Sequence, residues 1–194
     1  MAGSEIHSEK RRAFFRETVS RILEPLAKRL DRAAGPEPPT GRLRPPGAIQ
    51  EPLLIETCYR CGVCVEVCPM DAIHPLVDSE GDASGTPVIS PDQAACGLCD
   101  GLKCTTSCPS GALTALTAPQ EARMGKAELY EPLCIRASGN DCTLCFDYCP
   151  LGEVAIRVAS EGLPAIVFPG CVGCGMCQLH CPTTPKAIVV RPRA

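Results

Sequence analysis

The chain of 194 residues has no Trp, 3 Tyr and 4 Phe. Aromatic side chains carry much of the packing energy of ordinary domains, so a large aromatic core is excluded. No run of about 18 apolar residues occurs, which excludes a transmembrane helix by hydropathy. No G-x-G-x-x-G, phosphate-binding loop or G-x-S-x-G is present, so nothing points to a nucleotide site or a nucleophile elbow. The formal net charge of −3 argues against general nucleic-acid binding. Histidine is limited to His7, His74 and His180. The expected roles are a solvated side chain, a surface or turn residue, and packing beside Cys181.

Cysteine is abundant instead, at 16 residues, beside 17 Gly and 20 Pro. Average globular usage is far lower. The cysteines fall into four groups of four, each closed by Pro. These are Cys58, Cys61, Cys64 and Cys68; Cys96, Cys99, Cys104 and Cys108; Cys134, Cys142, Cys145 and Cys149; and Cys171, Cys174, Cys177 and Cys181. Groups one and four read C-x2-C-x2-C-x3-C-P. Group two widens its middle gap to x4, and group three moves its first cysteine away by x7.

The spacing has a physical reason. Three thiolates on a tightly turning loop reach three iron corners of one cubane, while the fourth corner faces away and takes a ligand from elsewhere. The Cys after the x3 gap then points to a second cubane, and the following Pro fixes the direction in which the chain leaves. Gly62, Gly97, Gly173 and Gly175 leave the backbone free to approach sulfur. Disulfides fit poorly, because cysteines three apart in one loop make crowded partners. Structural zinc normally pairs two C-x2-C units rather than a run closed by C-P. A mixed set, with group two or three purely structural, is weakened because both keep four cysteines and the C-P. The expectation is four [4Fe–4S] clusters. Tyr59, Phe146 and Tyr148, inside the groups, are expected to shield clusters from water.

The chain divides by composition. Residues 1–44 carry 10 Lys+Arg against 6 Asp+Glu; residues 45–194 carry 9 against 16. Phe15, Val19, Ile22, Leu23, Leu26 and Leu30 form a helical stripe, so residues 1–34 are expected to hold an amphipathic helix. Arg11 and Arg12 resemble a degenerate twin-arginine signal, interrupted by Arg16, Glu17 and Arg21. Residues 35–50, rich in Pro and Gly, read as a semi-extended linker outside any core. Residues 51–194 read as the cysteine-bearing domain. Short apolar runs flank its groups: 53–55, 112–116, 154–158, 165–168 and 187–190. They are expected to be strands, in a loop-rich α+β fold of tandem or nested ferredoxin-like repeats. Two pairings are open: one with two and three with four, or one with four and two with three. The regular groups lie outermost, which favours nesting. Nesting joins Cys58, Cys61 and Cys64 to Cys181, and Cys171, Cys174 and Cys177 to Cys68. It also joins Cys96, Cys99 and Cys104 to Cys149, and Cys134, Cys142 and Cys145 to Cys108.

The segments CYRCGVCVEVCPMDAI, CGLCDGLKCTTSCPSGAL, EARMGKAELYEPLCI, DCTLCFDYCP and CVGCGMCQLHCPTTPKAIVV resemble the MauM/NapG family of four-cluster ferredoxins over residues 50–192. The ARMG segment and the remote Cys134 make the likeness specific. Nested four-cluster subunits of molybdenum oxidoreductases are similar in cysteine arrangement. The resemblance implies a polyferredoxin without catalytic residues, relaying electrons between a quinol-linked membrane subunit and an oxidoreductase catalytic subunit, usually in the periplasm. The interrupted twin-arginine segment instead leads to an expected cytoplasmic location, with a periplasmic or membrane-associated one as the alternative. A second functional class, an assembly or interaction subunit whose clusters are mainly structural, follows from the poor aromatic core.

Overall fold

In a computed structural model, residues 35–77, 81–158, 162–166 and 170–193 are described. The expected N-terminal helix and the Arg11-Arg12 segment lie outside them. The chain divides into two units, Met1–Gly35 and Pro36–Ala194. The second contains all sixteen cysteines.

This unit is the same small arrangement built twice. Helix α1 (Glu51–Thr57) leads into the first cysteine loop, which closes in helix α2 (Val63–Glu66). Strands β1 (Ile73–Pro75) and β2 (Pro87–Ile89) form an antiparallel hairpin, with Ile73 opposite Ile89. The second cysteine loop ends in helix α3 (Lys103–Thr106). The half is closed by pairing of the chain before group one with the chain after group two: Ala48 bridges Leu113. There Ile49 N–H donates to Ala112 O at 3.2 Å and Thr114 N–H to Gly47 O at 2.8 Å.

The second half repeats the plan. Strand β3 (Gly125–Leu129) precedes group three, and helix α4 (Leu144–Asp147) lies within it. Strands β4 (Ile156–Val158) and β5 (Pro164–Ile166) form the inner hairpin, helix α5 (Met176–Leu179) lies within group four, and β6 (Ile188–Pro192) follows. Strand β3 pairs antiparallel with β6, Ala127 opposite Val190, and closes this half. Helix α2 packs on α3, and α4 on α5.

This topology overturns the nested expectation. Each half is sealed by a pairing that spans two consecutive groups, the Ala48–Leu113 bridge in the first and β3 with β6 in the second, so group one lies with two and group three with four. A sheet edge left open before group one would need a partner, and residues 112–114 supply it locally.

Other expectations change as well. Residues 53–55 are helical, not extended: Pro52 sits in the first turn, where its missing N–H costs nothing, and Leu54 is fully buried. Leu113 makes only an isolated bridge. Strand β3, within the segment read only as a family signature, gives little sequence signal because its burial alternates around charged Lys126 and Glu128. Ile188, Val189 and Val190 are successively buried, as in a strand covered on both faces.

The segment 35–50 is also not wholly a linker. Leu43, Arg44, Pro45 and Pro46 are buried. Ile89 N–H donates to Leu43 O at 2.9 Å. Arg44, only 7% exposed, donates through Nε to Glu51 Oε2 at 2.7 Å and through Nη2 to Oε1 at 2.5 Å. Its Nη1 reaches Thr86 Oγ1 at 2.9 Å and Pro87 O at 2.7 Å. The arginine therefore ties the incoming chain to α1 and β2, replacing core area with hydrogen bonds.

The Arg44 hydrogen bonds hold the Glu51 carboxyl below its ordinary value of 4.5, against the opposing effect of burial. The carboxyl's folded value is depressed, so its stabilisation is present above pH 4.5 and lost as pH falls through the folded value. Glu51→Gln is expected to cost about 1–2 kcal/mol near neutrality. Chemical denaturation should show this difference shrinking below about pH 4; an undiminished difference there would assign the cost to packing.

Candidate metal centres

Each cysteine loop is a tight turn followed by one helical turn, with little backbone freedom. Gly173 adopts φ +74, and a Cβ there would overlap the backbone of Gly125. Gly175 adopts φ +91, and a Cβ would stand 2.9 Å from Pro91 Cβ. Only glycine combines this left-handed geometry with so close an approach.

The loops gather the thiols into four sets. Cys58, Cys61, Cys64 and Cys108 line a cavity of about 270 Å³. Cys68, Cys96, Cys99 and Cys104 line a second, walled by Ile73, Ile89 and Leu102. Cys149, Cys171, Cys174 and Cys177 line a third, against Ile156 and Val190. The thiol neighbours of Cys145 are Cys142, Cys134 and Cys181, which completes the fourth. All sixteen candidate ligands are thus brought together, and the last cysteine of each group crosses to the neighbouring set within its half. The crossing itself agrees with the spacing; the partner groups are not the nested ones.

The sets stand in single file. Cys64 of the first bears on Cys104 of the second. Cys96 of the second bears on Cys174 of the third, and Cys96 N–H donates to Cys174 O at 3.0 Å. Cys145 of the fourth bears on Cys177 of the third. The halves therefore meet between the second and third sets. Gln178, 5% exposed, locks this junction: Nε2 donates to Asp92 Oδ1 at 2.9 Å, and Oε1 accepts from Val190 N–H at 2.7 Å.

Burial pushes the Cys96, Cys104 and Cys174 thiols up to about 12, and those of Cys64 and Cys145 up to about 11. Burial also drives Cys177 well above the ordinary value, with Cys174 and Cys171 adding to it. Four thiolates sharing such a site need cations among them, so a metal centre bound there would displace the protons. Cys108 differs. Burial raises it, but the Ser110 hydroxyl and the amides of Leu113, Ser110 and Gly111 together hold it below 9.0.

Two sulfur partners are absent from the sequence reading. Ser110 Oγ lies 3.5 Å from Cys108 Sγ, and Thr183 Oγ1 lies 3.2 Å from Cys181 Sγ. In each half this is the cysteine that crosses to the outer set. The amides of Ala112 and Ala187 donate to these hydroxyl oxygens at 3.3 and 2.7 Å, leaving each hydroxyl proton for sulfur. A hydroxyl two residues after the cysteine, as C-P-S and C-P-T, is the signal that the sequence offers. Backbone N–H groups of Arg60 and Ala127 reach Cys58 Sγ at 3.4 Å and Cys171 Sγ at 3.5 Å.

The aromatics take different parts. Tyr59 lines the mouth of the first cavity but is itself 71% exposed. Tyr148 stacks on His180, with centroids 3.5 Å apart and planes at 9°. Phe146 is the one that packs against the core. His74 lies in β1 opposite Val88, its Nε2 3.0 Å from Ser90 Oγ.

Soft thiolate donors in fours, with hydrogen bonds to sulfur and apolar walls, fit [4Fe–4S] clusters. No helix among the described residues is long and apolar enough to cross a membrane. Residues 57–112 match the 4Fe-4S dicluster domain family. That span encloses groups one and two, as the strand pairing does. The chain is 37% identical to the methylamine utilization ferredoxin-type protein MauM of Methylophilus methylotrophus, over 78% of this chain and 71% of the relative. Identity to MauM of Methylobacillus flagellatus is 33%, over 98% of this chain and 87% of the relative. Identity to the ferredoxin-type protein NapG of Escherichia coli is 36%, over 78% and 71%. On these identities over most of both chains, the chain belongs to the MauM/NapG family of ferredoxin-type iron–sulfur electron-transfer proteins.

Proposed function

We propose that each thiol quartet holds one [4Fe–4S] cluster and that the protein relays single electrons along the four, between an electron-donating protein and an accepting oxidoreductase. A bound cluster takes up and returns one electron without parting from its cysteines. The observation that carries this reading is the single file of quartets from the exposed Cys61 to the outer Cys142.

The chain's residues serve this task in three ways. Thiolates grip from two loops at once, so a cluster staples the fold as it binds. Ile73, Leu102, Ile156 and Val190 keep water from the inner quartets. Hydroxyls and amides stabilise charge on sulfur, which tunes potential. The donor is proposed to be a quinol-linked membrane subunit and the acceptor an oxidoreductase catalytic subunit, with electrons passing at the two ends of the file.

Anaerobically purified protein should contain about sixteen irons and as many acid-labile sulfides, for four cubanes. Zinc in place of iron would reverse the assignment. The pairing has its own test. Cys61→Ala and Cys108→Ala should each remove about four irons, and the double variant no more than either alone, because both serve one cluster. Under nesting they would serve different clusters, and the double variant would lose about eight.

A further inference from the structure

The two ends of the file differ in charge. Arg60 stands immediately before Cys61 in the first quartet; Asp141 stands immediately before Cys142, the equivalent place in the fourth. Glu66 and Asp147, each two residues after the next cysteine, match and cancel in the comparison.

The guanidinium of Arg60 is held by main-chain carbonyls. Nε donates to Ser84 O at 2.9 Å, Nη1 to Cys58 O at 3.1 Å, and Nη2 to Asp82 O at 2.6 Å and Ile55 O at 3.4 Å. These contacts strap the β1–β2 hairpin turn to the first cysteine loop. Carbonyl dipoles orient a cation without neutralising it. Arg60 itself has φ 55, an uncommon conformation for a non-glycine residue.

Arg136 does the corresponding work at the other end from a different sequence position. Its Nε donates to Gly162 O, between β4 and β5, at 2.5 Å, and its Nη1 reaches Cys142 O at 3.5 Å. The same Nη1 is paired with Asp141 Oδ1 at 3.1 Å. Here the cation is opposed by a carboxylate.

We propose that this one-charge difference makes the cluster held by Cys58, Cys61, Cys64 and Cys108 the more readily reduced end of the relay, with Arg60 as the positioning residue that sets it. The inference rests on the relay reading above. A fixed cation favours an added electron nearby, and solvent and salt damp the effect at an exposed side chain. The file then has a direction: electrons settle towards the Arg60 end.

Potentiometric titration of the iron-loaded protein, with the reduced clusters followed by electron paramagnetic resonance, tests this. Arg60→Gln should make one cluster about three- to tenfold harder to reduce, about 30–59 mV for one electron. Arg60→Lys, which keeps the charge, should stay within about a factor of two of the parent. Asp141→Asn removes the charge of a side chain 98% exposed and keeps its size, so folding is not at stake. It should make a different cluster easier to reduce by a similar factor, and added salt should shrink both shifts. The proposal fails if Arg60→Gln retains its iron and moves no potential, if Arg60→Lys moves as far as Arg60→Gln, or if Arg60→Gln and Asp141→Asn shift the same cluster. Should Arg60→Gln lose its iron, an unshifted Asp141→Asn overturns the proposal by itself. Iron far below sixteen in the parent protein instead sinks the relay reading, and this inference with it.

Discussion

The fourth thiol of every quartet must come from a different loop. A cubane presents its corners in directions that one tight turn cannot all reach. The x3 gap therefore sends its cysteine away from its own set, and no cysteine loop is complete alone. In this chain the obligation is met between consecutive loops: Cys108 returns to the first set and Cys68 goes forward to the second, with Cys181 and Cys149 doing the same in the other half. Short strands and one-turn helices suffice because they need only present loops to each other. The apolar core runs among the cysteines rather than apart from them, with Leu102, Leu113, Ile156 and Ile188 packed around Cys104, Cys134 and Cys174.

The two halves share one plan, and the proposed direction of the relay rests on the differences between them. Both outer quartets receive a hydroxyl at the crossing cysteine, from Ser110 or Thr183. Both are strapped by an arginine to the inner hairpin, yet Arg60 and Arg136 come from different positions in their groups. Position in space was kept while position in sequence was not. The junction between halves is polar, through the buried Gln178, the exposed Asp92 and the Cys96–Cys174 backbone bond. A polar contact of this kind specifies one register between two surfaces, since a slip would leave buried groups unpaired.

The cysteine groups are legible in the sequence as candidate ligands because their spacing is a property of one turn and needs no partner. Their pairing is not. Regularity of groups one and four suggests kinship between them, but regular spacing reports only how a single loop coils. What decides pairing is which chain segments close a half, and those are weak local signals. Ala48 and Leu113 make one isolated bridge. Strand β3 carries charges at alternate positions and reads as loop. The Pro-rich stretch before Glu51 looks solvated because its burial depends on Arg44 finding Glu51, Thr86 and Pro87, groups up to 43 residues away.

By itself the sequence determined the donor chemistry, the number of thiol sets and the family, because all three depend on residue type and short spacing. It also established the charge contrast between leader and body, which is a matter of counting. Tertiary structure alone decided that the sets lie in file, that the halves meet at Cys96 and Cys174, and that Arg60 meets main-chain carbonyls where Arg136 also meets a carboxylate. Those facts depend on distances between residues remote in the chain, and burial, electrostatic and hydrogen-bond energies follow distance rather than sequence order.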